Sequence, residues 1–475
     1  MSETLPTNDA DPVHRKAGDS VTLSRKFYFA AWRWHFYSGL FVVPFLMMLA
    51  VTGLIMVYFN SVETRFGERL YVTPSGVHTS PDAQIAAAGK AIPDGTVSQY
   101  MPPPAADRTA LVQVTSDAGS MIVAVDPYTN AVLSIVNKDK TWFSFASDIH
   151  GTLLIGDLGD RLIEIAAGLG IVMIVTGLFL WWPRAGSESA RFVPRMGLRG
   201  RVLWKDLHVT IGLYTSVVLV FFLISGLAWA GVWGGKIVQP WNSFPAEKWE
   251  NVPLSDTTHA SMNRGAVKEV PWGLEQTRMP ESGSTAGADG IGDGVPVTLT
   301  TVTQLAYGIG FGPQFRINLP SGETGVYTIS ADSMNGDTEN PMGDRTVHID
   351  RYTGKILGEV TFADYSLMAK SMAVGIALHQ GDMGLWNTLL NALFCLAVLF
   401  LCVSGIVMWW IRRPRGALRL VAPPMPDNLP LWKSAVFVML LISMAFPLVG
   451  LTLIAVLAFD LFVLQSIKPL GRALQ

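Results

Sequence analysis

The sequence is poor in charged residues and in cysteine. Only 15% of its 475 residues are Asp, Glu, Lys or Arg, half are apolar, and there are two cysteines. Cys395 and Cys402 lie about 10 Å apart along a helix, which is too far for a disulfide in that geometry. The scarcity of charge argues against a soluble enzyme and favours a multi-pass membrane protein. The net charge of −2 averages basic and acidic segments and implies no nucleic-acid partner.

Several catalytic and cofactor motifs are also missing. The sequence has no Cys-x-x-Cys-His, which excludes the usual covalent attachment of a c-type haem, and no Gly-x-Ser-x-Gly of a serine hydrolase. The glycine cluster at 308–312 lacks the frame of a dinucleotide-binding motif. Residues 1–26 contain no apolar core that would indicate a removable signal peptide. A built-in flavin or nicotinamide domain is not expected.

Long uncharged runs are the main positive feature. Each meets or approaches the roughly 20 residues that cross a hydrocarbon core. The runs are Phe36–Phe59, Ile165–Pro183, Leu207–Gly235, Met383–Ile411 and Ser434–Phe459. Pro447 and Gly450 leave the last run open to two interpretations, a kinked span or a helical hairpin.

Basic residues crowd the connections after the second and fourth runs, which predicts that these connections are cytoplasmic. The predicted organisation is a cytoplasmic N-terminus (1–32), transmembrane segments at 33–59, 149–183, 206–235 and 379–411, external regions at 60–148 and 236–378, basic cytoplasmic loops at 184–205 and 412–432, and one or two C-terminal membrane helices at 433–467. Within the second external region, residues 281–294 are rich in Gly and Ser and predict a mobile loop.

Four histidines recur in a duplicated frame at the ends of the apolar runs. His35 is followed by Gly39 and Gly53, and His208 by Gly212 and Gly226, at the same distances of four and eighteen residues. His150 and His379 are each followed by a Gly-Asp-x-Gly turn, a Thr-Gly or Ser-Gly pair and a Trp-Trp pair. The pattern predicts a four-helix core built from a duplicated two-helix unit.

The histidines are candidate axial ligands of two b-type haems, because neutral imidazole is a standard haem ligand and polar side chains in spans are usually kept for a site. The predicted topology pairs His35 with His208 near the cytoplasmic face and His150 with His379 near the external face. Gly39, Gly53, Gly212 and Gly226 would then admit the flat macrocycle. Two other interpretations stay open: an interfacial histidine can hydrogen-bond backbone or lipid, and small residues also serve helix packing.

Two external hairpins complete the pattern: Asp126-Pro-Tyr-Thr-Asn130 and Asp350-Arg-Tyr-Thr-Gly354. With the His-x3-Gly-Leu helices, the Thr/Ser-Gly pairs and the Trp-Trp exits, they resemble the PepSY-associated transmembrane helix family of iron-regulated bacterial inner-membrane proteins, over about residues 25–465. Asn130 departs from the glycine that the family favours there, although Asn also tolerates a left-handed turn.

The resemblance implies two periplasmic PepSY-like α+β domains and a di-haem ferric-siderophore reductase. Its substrate would be a ferric siderophore or another metal chelate in the periplasm, and its electrons would come from a cytoplasmic flavoprotein or membrane quinol. His348, beside the second hairpin, is a further candidate for substrate contact. The alternatives are a haem-free PepSY module that regulates a periplasmic peptidase and, ranked last, a transporter.

Overall fold

A computed structural model of the protein describes residues 23–61, 70–183, 192–241, 251–263, 268–414, 420–424 and 431–459, together with Lys248. The N-terminal residues 1–22, much of both predicted basic loops and the end of the predicted C-terminal segment lie outside the described residues. The described part comprises a bundle of long apolar helices and a region rich in β-strands.

Four helices are long and apolar enough to cross a membrane. They are α1 (Leu23–Ser61), α4 (Asp157–Trp181), α5 (Gly200–Leu227) and α8 (Leu385–Arg412). Helices α1 and α5 each pack against both α4 and α8, so that α1 and α5 stand at opposite corners of a four-helix bundle. Buried apolar side chains of all four helices meet at the centre: Val42, Val172, Leu223 and Val398.

The second and fourth spans are each preceded by a shorter helix and a sharp break. Helix α3 (Trp142–Thr152) precedes α4, and α7 (Leu367–Gln380) precedes α8. The backbone takes positive φ angles at Leu153, Leu154 and Gly156 in the first break and at Gly381 and Gly384 in the second. The predicted segments 149–183 and 379–411 are therefore not continuous helices, and both breaks coincide with the Gly-Asp-x-Gly turns.

The C-terminal segment consists of two 13-residue helices, α9 (Lys433–Ala445) and α10 (Pro447–Phe459). Ile442, Phe446, Val449 and Leu453 all pack on the bundle core. Their spacing of three and four residues continues across the break, and the N–H of Gly450 donates to the carbonyl of Phe446. A Cβ at residue 450 would nevertheless lie 3.1 Å from Cβ of Ser443, whereas residues seven apart in one continuous helix are about 10 Å apart, so the chain turns sharply between α9 and α10.

The strands outside the bundle form one eight-stranded antiparallel sheet. Its order is β10-β9-β8-β7-β1-β2-β3-β4. Strands β1 (Thr96–Met101), β2 (Ala110–Ser116), β3 (Gly119–Val125) and β4 (Val132–Asn137) come from the first predicted external region, and β7 (Arg316–Asn318), β8 (Tyr327–Ala331), β9 (Arg345–Ile349) and β10 (Ile356–Thr361) come from the second. A separate two-stranded sheet pairs β5 (Leu254–Thr258) with β6 (Arg278–Pro280).

The sequence predicted two separate external domains. In the structure, the two external regions instead share one sheet. Pairing of β1 with β7 joins their four-stranded halves, with Tyr100 opposite Ile317. Each half has a helix before its first strand, α2 (Pro81–Ala91) and α6 (Leu299–Gly308), and these helices contact each other and share one buried core with both halves of the sheet.

The glycine-rich segment 281–294 is held in place along its length, which differs from the predicted mobile loop. The N–H of Gly283 donates to the Asp350 carboxylate, Ala288 forms a bridge with Ile356, and the N–H of Ile291 donates to the carbonyl of Gly354. A Cβ at residue 290 would lie 2.3 Å from the carbonyl oxygen of Gly354. The small residues here permit close approach to the second hairpin.

Candidate functional site

His35 and His208 lie near the ends of α1 and α5 that are remote from the sheet, called here the far end of the bundle. The Nδ1 atom of His35 is 3.2 Å from Thr176 Oγ1 and 3.0 Å from the carbonyl oxygen of Met173, both on α4. The Nδ1 atom of His208 is 2.7 Å from Ser404 Oγ on α8. The two imidazoles are close enough to interact electrostatically.

His150 and His379 lie in the last turns of α3 and α7, at the end of the bundle next to the sheet, called here the sheet end. The centroids of their rings are 6.4 Å apart, and the ring planes are at 85°. The Nδ1 atom of His150 is 2.8 Å from Thr52 Oγ1 on α1, and that of His379 is 2.8 Å from Ser225 Oγ on α5. All four histidines thus contact a hydroxyl group of a membrane-spanning helix.

The hydrogen-bond network around each imidazole favours one tautomer of the neutral ring. Each hydroxyl group donates its single proton to a carbonyl of its own helix, at 2.8 Å for Thr52, Thr176 and Ser225 and 3.0 Å for Ser404. The hydroxyl oxygen is then free to accept from the histidine, which is the arrangement in which Nδ1 carries the proton. In a neutral ring Nε2 is then unprotonated, which is the state that a metal ligand requires.

A glycine beside each hydroxyl lets the imidazole approach the helix. A Cβ at residue 177 would lie 3.1 Å from Cε1 of His35, and one at residue 226 would lie 3.5 Å from Cε1 of His379. The corresponding distances are 3.9 Å between residue 53 and His150 and 3.8 Å between residue 405 and His208. The Thr-Gly or Ser-Gly pair therefore forms a seat for one imidazole in each of the four helices.

The helix breaks position the two sheet-end histidines, and the two breaks are built differently. A Cβ at residue 159 would lie 1.7 Å from the carbonyl oxygen of Thr152, so the start of α4 can approach the end of α3 only with glycine there. At the second break, the buried Asn391 side chain donates to the carbonyls of Leu378 and His379 at 2.8 and 3.0 Å. This amide satisfies carbonyls that the end of α7 leaves unpaired.

The two histidine pairs lie near opposite ends of the bundle. From His35 to Thr52, and from His208 to Ser225, the chain advances by the same 17 residues of continuous helix. This corresponds to about 26 Å along the axis, which is close to the ~30 Å thickness of a hydrocarbon core. Thr52 and Ser225 mark the level of the sheet-end pair because they bind its histidines.

The structure brings the predicted histidines together in the predicted pairs. Of the predicted glycines, Gly53 and Gly226 lie against the sheet-end imidazoles, whereas a Cβ at Gly39 or Gly212 would instead meet Met173 Sδ at 3.8 Å or Leu401 Cδ2 at 3.6 Å. Sequence reasoning missed six site residues: Gly177, Gly405, Thr52, Thr176, Ser225 and Ser404. The signal was present, because a Thr-Gly or Ser-Gly pair occurs in every one of the four spans, although α1 also contains a second pair, Ser38-Gly39.

His348 cannot contact a substrate in this structure, contrary to expectation. Its side chain is fully buried, and its Nε2 lies 2.9 Å from Nε2 of the equally buried His259. A cavity of about 10 Å³ beside His259 has room for roughly one water molecule. In the described part of the chain, no group of three or more His, Cys, Asp or Glu side chains could hold a metal ion. The paired histidines of the bundle are the remaining candidates.

Comparison with known proteins agrees with this architecture. No curated protein matches the chain. The family described as PepSY-associated TM region matches residues 32–412, a range that includes most of α1, the other three membrane-spanning helices, both histidine pairs and the whole sheet. We conclude that this multi-pass membrane protein belongs to the PepSY-associated TM region family.

Proposed function

We propose that this protein carries electrons through the bacterial inner membrane by means of two b-type haems and reduces a ferric siderophore, or a similar metal chelate, in the periplasm. One observation carries the proposal: four imidazoles, two at each end of the bundle, have Nδ1 within hydrogen-bond distance of a hydroxyl group, an arrangement that leaves Nε2 available to a metal ion. Histidines that only anchor a helix at a membrane interface would not need this repeated arrangement.

The side chains fit the proposed cofactor. The 6.4 Å separation between the His150 and His379 rings accommodates one metal ion bonded to a nitrogen of each ring, because imidazole–metal bonds are about 2 Å long. Each ligand is oriented by a second group, as metal-bound histidines usually are. Haem bound at each pair would supply a one-electron redox centre. The surrounding apolar helices would exclude water from both centres.

The direction of electron flow follows from the predicted orientation. Basic residues of the connections after α4 and α8 favour a cytoplasmic far end, which makes the sheet end periplasmic. His35 and His208 would then receive electrons from a cytoplasmic flavoprotein or from membrane quinol. His150 and His379 would deliver them to the chelate. Each delivered electron converts one ferric ion to a ferrous ion, which hard oxygen ligands hold less tightly.

A haem count on histidine variants tests the proposal. The purified protein should show the reduced-minus-oxidised spectrum of b-type haem, with two haems per chain by pyridine haemochrome. His35→Ala and His208→Ala should each remove the same haem, and His150→Ala and His379→Ala the other. The buried histidine His259, replaced by Gln, is the matched control and should leave two haems.

The pairing and the function can fail separately. Loss of a different haem for His35→Ala and His208→Ala would contradict the pairing. A colourless wild type, expressed with adequate haem supply, would contradict the electron-transfer function and leave the haem-free regulatory module as the better candidate. If two haems are present, reduction of a ferric siderophore by the chemically reduced protein tests the substrate.

A further inference from the structure

Two arginines at the far end of the bundle have buried nitrogen atoms without a partner. Arg201 lies in the first turn of α5 and Arg412 is the last residue of α8. The Nε atom of each is buried and has no hydrogen-bond partner, and the two guanidinium groups are close enough to repel each other. Neither arginine forms an ion pair with a carboxylate of the described residues. Both features cost free energy unless an anion lies between the groups.

Both arginines are in register with the far-end histidines. Arg201 precedes His208 by seven residues, and Arg412 follows Gly405, the seat of His208, by seven residues. Seven residues are two helical turns, or about 10 Å, so each arginine lies on the same face as the histidine contact of its helix. The Arg412 guanidinium also lies 5.0 and 5.7 Å from the rings of Trp32 and Phe36, which flank His35.

Neighbouring side chains do not supply the missing charge. The carboxylate of Asp206, one turn beyond Arg201 on α5, accepts from the backbone N–H of Arg195 at 2.7 Å and from its Nη2 at 2.9 Å. Arg412 donates to the carbonyl of Val421, which is neutral. The two arginines therefore form an electropositive end to the space between α1, α5 and α8, just beyond His35 and His208.

We propose that Arg201 and Arg412 bind the carboxylate groups of the cofactor held by His35 and His208. This inference rests on the proposed function, since haem carries two propionate carboxylates at one edge. Guanidinium groups bind carboxylates through two parallel hydrogen bonds, and Nε is one of the donors that this geometry uses. The arginines would orient the polar edge of the cofactor towards the end of the bundle and neutralise its charge.

The experiment uses the full chain with both centres, so that the sheet-end centre reports correct folding. Arg201→Gln and Arg412→Gln are compared with Arg199→Gln, a matched control at an exposed arginine two residues before Arg201. Haem-free protein is reconstituted either with haem or with haem dimethyl ester, whose carboxylates are blocked. Two quantities are measured for each centre: the rate of haem loss to an excess of acceptor protein, and the midpoint potential. The signal of the far-end centre is identified as the one that is absent in His208→Ala.

With haem, each of the two Gln variants should lose far-end haem about tenfold faster than wild type, because a charge-assisted hydrogen bond is lost. The far-end midpoint potential should fall, because removal of a positive charge disfavours the reduced form. With the dimethyl ester, wild type and variants should lose the cofactor at the same rate. Arg199→Gln should behave as wild type throughout.

Three results would overturn the inference. The first is an unchanged rate and potential in both Gln variants. The second is equal acceleration with haem and with its dimethyl ester, accompanied by fewer co-purified phospholipids per chain, which would assign the arginines to a lipid phosphate. The third is equal loss at both centres, which indicates general destabilisation. Wild-type protein that takes up no haem would instead overturn the proposed function.

Discussion

Each imidazole of the bundle depends on one hydroxyl group, and this dependence can be tested at Ser225. Ser225→Ala removes the oxygen that accepts from Nδ1 of His379 at 2.8 Å. Loss of such a partner typically lowers metal affinity by about 10- to 100-fold. We expect haem loss from the sheet-end centre to accelerate by this factor while the far-end centre is unchanged.

Ser216→Ala is the matched control for that variant. Ser216 is a buried serine on the same helix whose hydroxyl group donates to the carbonyl of Leu213. A rate of haem loss in Ser225→Ala no higher than in Ser216→Ala would show that the hydroxyl group does not hold the ligand.

Glycine at the seat of His35 should matter for the far-end centre. A Cβ at residue 177 would lie 3.1 Å from Cε1 of His35, closer than most real contacts of this kind, and an ordinary 3.5 Å from its Nδ1. In Gly177→Ala the ring must shift by a few tenths of an ångström, at a cost of about 1–3 kcal/mol. We expect a changed electron paramagnetic resonance spectrum for the far-end haem and an unchanged one for the other.

Gly39→Ala provides the comparison, because its Cβ would meet only Met173 Sδ, at an ordinary 3.8 Å. If both alanine variants perturb the far-end haem equally, the perturbation reflects general helix packing. The seat at Gly177 would then have no special role.

Among the secondary-structure elements, the break between α3 and α4 is the most constrained. Gly159→Ala would place a methyl group 1.7 Å from the carbonyl oxygen of Thr152, which is backbone and cannot rotate away. We expect destabilisation of about 1–3 kcal/mol or more, measured as a lower thermal midpoint in detergent and as loss of the sheet-end haem. Gly151→Ala, with open space around its Cβ position, should be close to wild type; an equal effect of both variants would contradict this account.

The repeat in the sequence was sufficient to predict these elements and their histidine pairs, but not the contacts between them. The four spans, the two breaks and the pairs follow from periodic apolar runs and from matched Gly-Asp-x-Gly turns. Gly53 and Gly226 of these pairs were predicted to admit the macrocycle, with helix packing as the alternative, and Gly177 and Gly405 were given no role. Their role as seats for the imidazoles depends on which helices are neighbours in the bundle. The order of helices around a bundle cannot be predicted from a single sequence.

On the scale of the whole molecule, the joined sheet was unpredictable for a physical reason. Strand β7 has three residues, Arg316–Asn318, too few to show an alternating pattern. Its pairing with β1 links residues more than 200 positions apart, such as Gln99 and Asn318, whose side chains also hydrogen-bond at 3.0 Å. The consequence is one continuous sheet, and the chain runs from its strands β4 and β10 into α3 and α7, which carry the two sheet-end histidines.

The contact between His259 and His348 connects the β5–β6 segment to this sheet. It should make the stability of the folded protein sensitive to pH. Burial lowers the pKa of His259 to about 4. Burial also lowers the pKa of His348 well below its usual value, and the charge of the neighbouring His259 lowers it further. Between about pH 6.5 and 4 the folded pair therefore binds fewer protons than the unfolded chain. The stability that the neutral pair contributes is fully present above about pH 6.5 and is lost as the pH falls towards 4.

Replacing His348 with Gln tests this dependence in the full chain. At pH 7 the variant should be less stable than wild type because it loses the buried contact with His259. As the pH falls from 6.5 to 4.5, the wild type loses stability through two buried imidazoles and the variant through one. The difference in stability between them should therefore shrink by up to about 1.4 kcal/mol per pH unit. Asp332 and Asp344, whose pKa values burial raises, are present in both proteins, so their titration cancels in the difference.

The measurement is the difference in thermal midpoint between wild type and variant across this pH range, with His78→Gln as the control. His78 is exposed and rests against Tyr128, so its substitution removes an imidazole without touching the buried pair. A deficit of His348→Gln that stays constant from pH 7 to 4.5 would mean that the pair is not held neutral. The coupling between the β5–β6 segment and the sheet would then not depend on protonation.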